Sequence, residues 1–206
     1  MTSQTHWETV YTQKAAENVS WYQPHLEVSL DFIAKAGLAS GDAIIDVGGG
    51  ASTLVDDLLA RGFTNLTVLD LSAKALETAQ ARLGERAALV RWLVGDVRTV
   101  ALPQQGFAFW HDRAVFHFLR DQADRRAYVA QVRRALQPGG HVVVATFGPQ
   151  GPEKCSGLEV ARYDGDGLHA EFGAPFEKLS SCTEVHDTPW GSEQQFVYCF
   201  CRSVAG

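Results

Sequence analysis

The chain lacks long apolar runs and clusters of positive charge. No hydrophobic stretch approaches the roughly 20 residues that a membrane-spanning helix needs, although 46% of the 206 residues are hydrophobic. The 18 Lys and Arg residues are outnumbered by 24 Asp and Glu, for a formal net charge of −6, whereas binding to a phosphate backbone relies on clustered Lys and Arg. We therefore expect no membrane association and no nucleic-acid partner.

The sequence also lacks the signals of secretion and of zinc binding. Residues 1–8 contain no basic segment followed by an apolar one, so no secretory signal is visible and a cytoplasmic location is expected. The four cysteines form no Cys-x-x-Cys pair, and thiols stay reduced by default in such a chain. Cys199 and Cys201 share one face of a predicted strand and are expected near Cys182 of its neighbour. We interpret them as core or half-buried residues and expect no metal.

Length and the order of elements predict one α/β domain. A chain of 206 residues is long enough for one well-filled domain and short for two. Apolar runs alternate with helical patterns, which implies a parallel sheet covered on both faces. Strands are predicted at Ile44–Val47, 65–70, 88–94, 106–111 and 141–147, with a closing antiparallel pair at 178–188 and 193–202. Helices are predicted to begin at residue 24, at 52 or 53, at 72 and at 121.

The most informative stretch is a glycine-rich turn between the first strand and the next helix. The strand carries Asp46, and the turn contains Gly48, Gly49 and Gly50 in succession. Glycines let the backbone reach positive φ and approach a ligand, since no Cβ intervenes. The free N–H groups of the following helix add donors and partial positive charge. The turn therefore predicts a binding site for a small polar molecule.

Two further strands end in acids and narrow the choice of ligand. Asp70 falls 20 residues after Gly50, where a carboxylate suits the hydroxyls of a ribose. The third strand ends in Gly95-Asp96-Val97. A dinucleotide motif starting at Gly48 requires a glycine at position 53, which is Thr53. The spacing therefore argues against a nicotinamide cofactor.

These motifs resemble those of class I S-adenosylmethionine-dependent methyltransferases over about positions 40 to 147. The motifs are Asp46-x-Gly48-x-Gly50, Asp70, Gly95-Asp96-Val97 and Gln137-Pro138-Gly139-Gly140. Ser52 stands where the family often has a third glycine, and its small side chain is able to cap the helix. The resemblance implies an α/β fold with a doubly wound, mostly parallel seven-stranded sheet and an antiparallel C-terminal hairpin, the Rossmann-like methyltransferase fold. It also implies S-adenosylmethionine as the cofactor.

Aromatic residues crowd the N-terminal segment. Trp7 and Tyr11 share one face of a helix, and Trp21 and Tyr22 follow. One interpretation is a hydrophobic cap over the sheet, and the other is a lid over the cofactor. The segment resembles one branch of the family, the protein lysine methyltransferases that act on citrate synthase and on translation elongation factors. We expect a helical lid at 1–38, a cofactor-binding core at 40–147, and an insert with the hairpin at 148–206.

Catalytic residues are expected where the fourth strand ends. Methyl transfer is an in-line displacement, and an amine or hydroxyl acceptor must also lose a proton. His111 or Asp112 is the expected base. The alternative is that Asp112 pairs with Arg113 or caps the next helix. For His117 we favour packing against neighbouring aromatic rings, because a lone His in an apolar run is usually structural.

A second candidate region for acceptor recognition follows the fifth strand. Arg162 is expected either to hold a carboxylate or carbonyl of the acceptor or to pair with Asp164 or Asp166 on the surface. The predicted substrate-binding residues are Arg113, His117, Arg162 and Trp190. The predicted cofactor-binding residues are Tyr11, Trp21, Tyr22, Asp46, Gly48, Gly49, Gly50, Asp70, Leu71, Gly95, Asp96, Val97 and His111.

Three functions fit these residues. The first is methyl transfer to a lysine of a partner protein, favoured by the N-terminal resemblance. The second is methyl transfer to a small metabolite or thiol, favoured by the compact size. The third is a cofactor-binding regulator without catalysis.

Overall fold

A computed structural model describes residues 3–13 and 16–204. The strands are β1 Ile44–Val47, β2 Leu66–Asp70, β3 Val90–Val94, β4 Phe107–Arg113, β5 Leu136–Phe147, β6 Lys154–Cys155, β7 Leu158–Glu159, β8 Phe176–Asp187 and β9 Glu193–Ser203. The α-helices are α1 Ser3–Gln13, α2 Glu27–Lys35, α3 Leu54–Ala60, α4 Ala73–Leu83, α5 Gln122–Ala135 and α6 Gly165–Phe172. Residues 1, 2, 14 and 15 of the predicted lid, and residues 205 and 206 of the predicted C-terminal region, lie outside the described residues.

Seven strands form one mixed sheet in the order β3-β2-β1-β4-β5-β9-β8. The first five strands are parallel, and β9 runs antiparallel to both β5 and β8. The predicted doubly wound sheet with an antiparallel C-terminal pair is therefore confirmed. The structure adds α6 and the small β6–β7 hairpin, which the Gly- and Pro-rich pattern after β5 did not indicate. It also extends β4 to Arg113, two residues beyond the predicted end.

Helices cover both faces of the sheet because neighbouring strand residues point to opposite sides. Ile44 packs on one face in a core with α2, α3 and α4, and Ile45 packs on the other face with α5 and α6. All four residues of β1 and all seven of β4 are buried. The central strands are therefore fixed from both sides, which holds the residues at their carboxyl ends in place.

The cysteine prediction was partly wrong. Cys199 and Cys201 are buried, with their Sγ atoms 3.4 Å apart. Cys182 pairs with Tyr198 across the strands and is exposed, because the register turns it to the opposite face from Cys199. Among the described residues, no group of three or more His, Cys, Asp and Glu is arranged to hold a metal ion. No helix within 3–13 and 16–204 is both long and apolar enough to cross a membrane.

Candidate functional site

A cleft follows the carboxyl ends of β1 to β4, where the strand order changes direction between β1 and β4. Ligands of open α/β sheets bind at such a switch point. The predicted cofactor-binding residues that line the cleft are Tyr11, Trp21, Tyr22, Asp46, Gly48, Gly49, Asp70, Leu71, Gly95, Asp96, Val97 and His111. Arg113, from the predicted substrate-binding set, also lines it. The structure therefore brings together residues that lie more than 100 positions apart in the chain.

The glycine turn forms the floor of the cleft, and it leaves no space for larger side chains at Gly48 or Gly50. Gly48 has a φ of +70°, and a Cβ there would collide with the side chain of Val115. A Cβ on Gly50 would collide with Ala75 and with the Asp70 carboxylate. Gly50 lies just behind the lining, and its N–H donates to Asp70 Oδ2 at 3.0 Å. The glycines thus allow the backbone to approach the acid of the neighbouring strand.

Asp70 is a buried carboxylate held by backbone amides. Its Oδ1 accepts from Ser72 N at 2.8 Å, and its Oδ2 accepts from Gly50 N at 3.0 Å. Burial raises the pKa of Asp70 to about 6, because a desolvated carboxylate disfavours its charged form. The amide donors partly oppose that shift. A fixed carboxylate with further acceptor capacity suits a vicinal diol.

Asp46 lines the cleft and has one oxygen without a hydrogen-bond partner. His111 Nδ1 lies 2.7 Å from Asp46 Oδ1, and His111 Nε2 lies 2.9 Å from Ser29 Oγ. Asp46 Oδ2 is buried and has no hydrogen-bond partner within the protein. An orphaned buried carboxylate oxygen is costly unless a ligand donates to it. The arrangement therefore fits a ligand group that carries N–H or O–H.

Asp96 lies at the far end of the cleft, after β3. Its carboxylate accepts from Arg98 Nε at 2.9 Å, and this hydrogen bond lowers the pKa of Asp96. Arg98 also pairs with Asp124 at the start of α5. The Asp96 loop is thus held by a surface ion-pair chain, while Gly95 and Val97 complete the lining.

An aromatic roof, defined here as Trp7, Tyr11, Trp21 and Phe118, covers the cleft. The ring centroid of Trp7 lies 5.2 Å from Phe118 and 5.9 Å from Trp21, both edge to face. Tyr11 lies 6.4 Å from Trp21 and contacts Ala51 and Ala75 below it. All four residues line the cleft. The N-terminal aromatics therefore form both a packed cluster and the cover of the site.

Glu8, a carboxylate on α1, hydrogen-bonds to the start of α4 at the edge of the sheet, and we call these contacts of Glu8 the clasp. Glu8 accepts from Ala73 N at 2.7 Å, from Ser72 Oγ at 3.0 Å and from Lys74 N at 3.2 Å. These donors form the first turn of α4, where free amides and the helix dipole favour an anion. The same turn begins two residues after Asp70. Glu8 thereby ties the aromatic roof to the acid on the floor.

We expect Glu8→Gln to loosen this clasp. Loss of the charge at the α4 N-terminus costs up to about 2 kcal/mol, so the dissociation rate of S-adenosylhomocysteine should rise up to roughly 30-fold and the melting temperature should fall by a few degrees. Stopped-flow fluorescence of the roof tryptophans measures that rate. Glu77→Gln is the matched control, because Glu77 is an exposed carboxylate on α4 that forms an ion pair with Lys74 of the same helix. Equal dissociation rates in parent and Glu8→Gln would contradict the clasp.

The predicted base Asp112 faces away from the cleft. Its carboxylate accepts from Tyr128 Oη at 2.6 Å, Val115 N at 2.9 Å and Phe116 N at 3.1 Å. Strand alternation turns it towards α5, whereas its neighbours His111 and Arg113 face the cleft. The alternative of a structural cap fits these contacts, and the assignment of Asp112 as the base is corrected accordingly. His111 reaches the cleft, but both of its ring nitrogens are engaged.

Three predicted substrate-binding residues do not line the cleft. His117 is fully buried between Phe118 and Phe147, and burial lowers its pKa to about 3. Arg162 donates to the carbonyls of Pro149 and Gly151 and pairs with Glu153, which ties down the loop after β5. Trp190 is 60% exposed on the β8–β9 turn. Their assignment to the acceptor site is therefore corrected, and of that set only Arg113 reaches the cleft.

Several site residues were missed from the sequence. Glu8 and Ser29 lie on helices as isolated polar residues, and nothing in the sequence links them to positions 72 and 111. Phe118 was interpreted only as a packing neighbour of His117. Cys155 lines the cleft from the β6–β7 hairpin, an element that was not predicted. The one available signal was the aromatic spacing Trp7-x-x-x-Tyr11, which located the roof but not its clasp.

Ligand binding should weaken in mild acid. A carboxylate with a pKa of about 6 must be ionised to accept from a diol, so affinity for S-adenosylhomocysteine should fall roughly tenfold per pH unit below about 6. The stability of the free protein should depend on pH in the opposite direction from ligand affinity. The pKa of Asp70 in the folded protein exceeds the ordinary value of 3.8, so its contribution to the free energy of unfolding decreases as pH rises from about 4 to 6. Calorimetric titrations between about pH 5 and 8 test this, and a constant affinity would contradict it.

Comparison with known proteins shows a similarity to methyltransferases. Residues 44–140 match the model of the methyltransferase domain family. These residues make up slightly less than half of the chain, and over them the chain is similar to methyltransferase domains. An N-methyltransferase from Bradyrhizobium japonicum WM9, NodS in complex with S-adenosylhomocysteine, superposes with a TM-score of 0.71 at 16% identity, covering 95% of this chain and 97% of that one. That likeness shows that the two proteins share a fold.

Curated relatives match over part of their length. An uncharacterized methyltransferase from Mycobacterium tuberculosis is 32% identical over 60% of this chain and 58% of its own length. The ubiquinone biosynthesis O-methyltransferase of Xylella fastidiosa is 28% identical over 65% and 56%, respectively. The eEF1A lysine and N-terminal methyltransferase homolog of Drosophila melanogaster is 24% identical over 67% and 21%. This chain spans less than three fifths of the length of these relatives, and the two with descriptive names, for ubiquinone biosynthesis and for eEF1A, point to acceptors of different kinds.

Proposed function

We propose that this methyltransferase domain transfers a methyl group from S-adenosylmethionine to the side-chain amine of a lysine on a partner protein. The convergence of Asp46, Asp70 and Asp96 with the glycine turn supports the cofactor part of the proposal. The lysine acceptor rests on the resemblance of the N-terminal aromatic segment to the lysine methyltransferase branch. Asp46 Oδ2 has no hydrogen-bond partner in the protein, and the fixed Asp70 carboxylate has room to accept further hydrogen bonds. The residues therefore fit a ligand with an amino group and a ribose diol.

The three acids follow the order of the strands, and we assign their roles in that order. Asp96 lies after β3 at the adenine edge, Asp70 ends β2 and accepts from the ribose hydroxyls, and Asp46 on β1 accepts from the amino group. His111 and Ser29 fix the Asp46 side chain from behind. We therefore class His111 as a positioning residue for Asp46.

The roof supports the chemistry by excluding water and stabilising positive charge. When bound, S-adenosylmethionine would supply a methyl group on a sulfonium: the acceptor nitrogen would form a bond to the methyl carbon in line as the carbon–sulfur bond breaks and neutral S-adenosylhomocysteine leaves. Positive charge moves towards an amine acceptor in that displacement. The faces of Trp and Phe rings attract cations by about 0.5–2 kcal/mol each. Trp7, Trp21 and Phe118 are positioned to supply this attraction, because they line the cleft beneath α1.

Proton removal does not require the base that was predicted from the sequence. Asp112 is turned to α5 and His111 is engaged at both nitrogens. Burial in an apolar cleft lowers the pKa of an amine, because it disfavours the charged form. We propose that a lysine acceptor enters in its neutral form and that the cleft selects that form by desolvation.

A second candidate is methyl transfer to a small metabolite or thiol. The covering of the cleft by α1 favours it, since a covered cleft suits a small acceptor, and so does the relative named for ubiquinone biosynthesis. The third candidate, a regulator that binds the cofactor without catalysis, retains binding but transfers no methyl group.

Label transfer separates the three candidates. The full chain is incubated with methyl-labelled S-adenosylmethionine and a cell lysate, and the products are separated by size. Label in a protein band that is lost on lysine-blocking acetylation supports the proposal. Label in the low-mass fraction supports the small-acceptor candidate. Binding of S-adenosylhomocysteine without any transfer supports the regulator. Asp70→Asn is the matched control for cofactor-dependent transfer in every arm.

A further inference from the structure

Two buried thiols lie side by side on β9, on the face of the sheet that α6 covers. Cys199 and Cys201 are each 2% exposed, and both belong to the apolar core that includes Leu168 and Phe172 of α6. Their Sγ atoms are 3.4 Å apart, a separation at which one thiol donates a hydrogen bond to the other. Neither thiol lines the cleft. The pair is therefore a group of reactive side chains that methyl transfer does not use.

A bulge in the neighbouring edge strand lies beside this pair. β8 is the last strand of the sheet, and its Lys178 lies opposite Cys201. The register shifts between Lys178 and Ser180, so Leu179 is an extra residue, and such a bulge locally disrupts the hydrogen bonds between strands. Leu179 is 40% exposed. An irregular edge strand, not the interior of the sheet, therefore separates the thiols from solvent.

Lys178 lies next to the thiols and supplies positive charge. Its side chain is 30% exposed and pairs with Asp166 in the first turn of α6. A hydrogen bond from Cys201 and the positive charge of Lys178 lower the pKa of Cys199, although burial opposes that shift. Both effects favour the thiolate, which is the form of cysteine that bonds to soft ions. Lys178 therefore prepares the pair for a thiophilic ligand.

The separation of the two thiols suits a single bridging atom better than a disulfide. Side chains two residues apart on a strand stand nearly parallel, with Cα atoms about 6.8 Å apart, whereas a disulfide brings the two Cβ atoms to about 3.5–4.5 Å. A disulfide would therefore bend β9 out of its pairing with β5 and β8. With a bond of about 2.3 Å to each sulfur, the length that zinc makes, one atom joins sulfurs 3.4 Å apart at an angle of about 95°.

The bent angle and the number of protein ligands select the class of ligand. Zinc takes four ligands, and among residues 3–13 and 16–204 no group of three or more His, Cys, Asp and Glu is arranged to hold a metal ion. A linear ion with the same bond length needs the sulfurs about 4.6 Å apart. Trivalent arsenic forms three pyramidal bonds at angles close to a right angle. Two of these bonds match the thiols, and the third substituent arrives with the ligand.

We propose that Cys199 and Cys201 form a dithiol site for trivalent arsenicals, in which both sulfurs bond to one arsenic atom. With arsenite, As(OH)3, two arsenic–sulfur bonds form and two arsenic–oxygen bonds break. The two thiol protons leave with the two hydroxyl groups as two molecules of water. Arsenic stays trivalent, so the step needs no oxidant or reductant. The site is independent of the proposed function, because neither thiol lines the cleft and no cofactor enters the reaction.

Mass spectrometry of the intact, folded chain tests the proposal with arsenite as the probe. The reduced protein is mixed with arsenite and an excess of glutathione, a monothiol that removes arsenic from single cysteines. The parent should retain one arsenic atom per chain, with or without glutathione as the third ligand, and 2,3-dimercaptopropanol should remove it. Cys199→Ser and Cys201→Ser should each raise the half-saturating arsenite concentration roughly 30-fold or more, because the second bond to arsenic is then no longer intramolecular.

Cys182→Ser is the matched control, because Cys182 is an exposed thiol on β8 that faces the other side of the sheet. It should bind arsenite within about twofold of the parent. An equal loss in Cys182→Ser and Cys199→Ser overturns the proposal, and so does a parent that retains no arsenic. Arsenic that is retained only by the chain unfolded in urea also overturns it, because the folded protein then closes the pair to the ligand. That comparison uses the parent alone, so it decides the matter even where a serine variant fails to fold.

Discussion

Asp70→Asn is expected to weaken S-adenosylhomocysteine binding about 100-fold or more while the protein remains folded. Hydrogen bonds to a charged group contribute about 1.5–3 kcal/mol each, and a ribose presents two hydroxyls to this carboxylate. Asparagine keeps the shape of the side chain, but its one carbonyl oxygen accepts from only one of the Gly50 and Ser72 amides, which donate to different oxygens of Asp70. It replaces the second acceptor oxygen by a donor. Isothermal titration calorimetry measures the loss, and circular dichroism checks the fold.

Asp112→Asn is the matched control for that variant. Asp112 is also buried, also accepts from two backbone amides, and burial raises its pKa to about 6 as well. Its carboxylate lies on the α5 side of the sheet, bonded to Tyr128. We expect a lower melting temperature with unchanged affinity for S-adenosylhomocysteine. Equal affinity losses in the two variants would contradict the assignment of Asp70 to the ribose.

The paired variant Trp7→Ala/Trp21→Ala is expected to reduce methyl transfer about 100-fold while retaining measurable binding of S-adenosylhomocysteine. The two rings contact each other and, through Trp7, Phe118, so their removal opens the roof. Each ring contributes about 0.5–2 kcal/mol to a nearby cation, and an open roof admits the water that a closed site excludes. Single-turnover label transfer measures the chemical step separately from binding.

Trp190→Ala is the control for tryptophan removal. Trp190 is exposed on the β8–β9 turn and does not line the cleft, so its loss should leave transfer within about twofold of the parent. A roof variant that no longer melts cooperatively would favour the cap interpretation of the N-terminal segment. A roof variant with normal turnover would remove the support for a catalytic lid.

The sheet and the glycine turn were predictable because their signals are local. An apolar run of four to seven residues, a helix cap such as Ser72 and a terminating glycine such as Gly84 each lie within one element. The acids Asp46, Asp70 and Asp96 follow strands whose carboxyl ends meet at one edge of a parallel sheet. Their convergence therefore followed once the strands were identified.

The sequence did not predict which side chains at the end of β4 point into the cleft. The period of two places His111 and Arg113 on one face and Asp112 on the other, but it does not say which face adjoins the cleft. The packing of α5 decides this, because Tyr128 occupies the side to which Asp112 turns. Asp112 therefore caps the backbone turn that follows β4 and does not face the cleft.

The sequence by itself determined the order of the elements, the acidic strand ends and the aromatic N-terminal helix, since each depends on residues a few positions apart. Only the tertiary structure decided that Glu8 meets the start of α4, that Ser29 meets His111, and that Arg113 has its partners on Trp21 and Tyr198. Those pairs are separated by 65 to 92 positions. Contacts of that separation arise from how two faces of the sheet are covered, which no local pattern encodes.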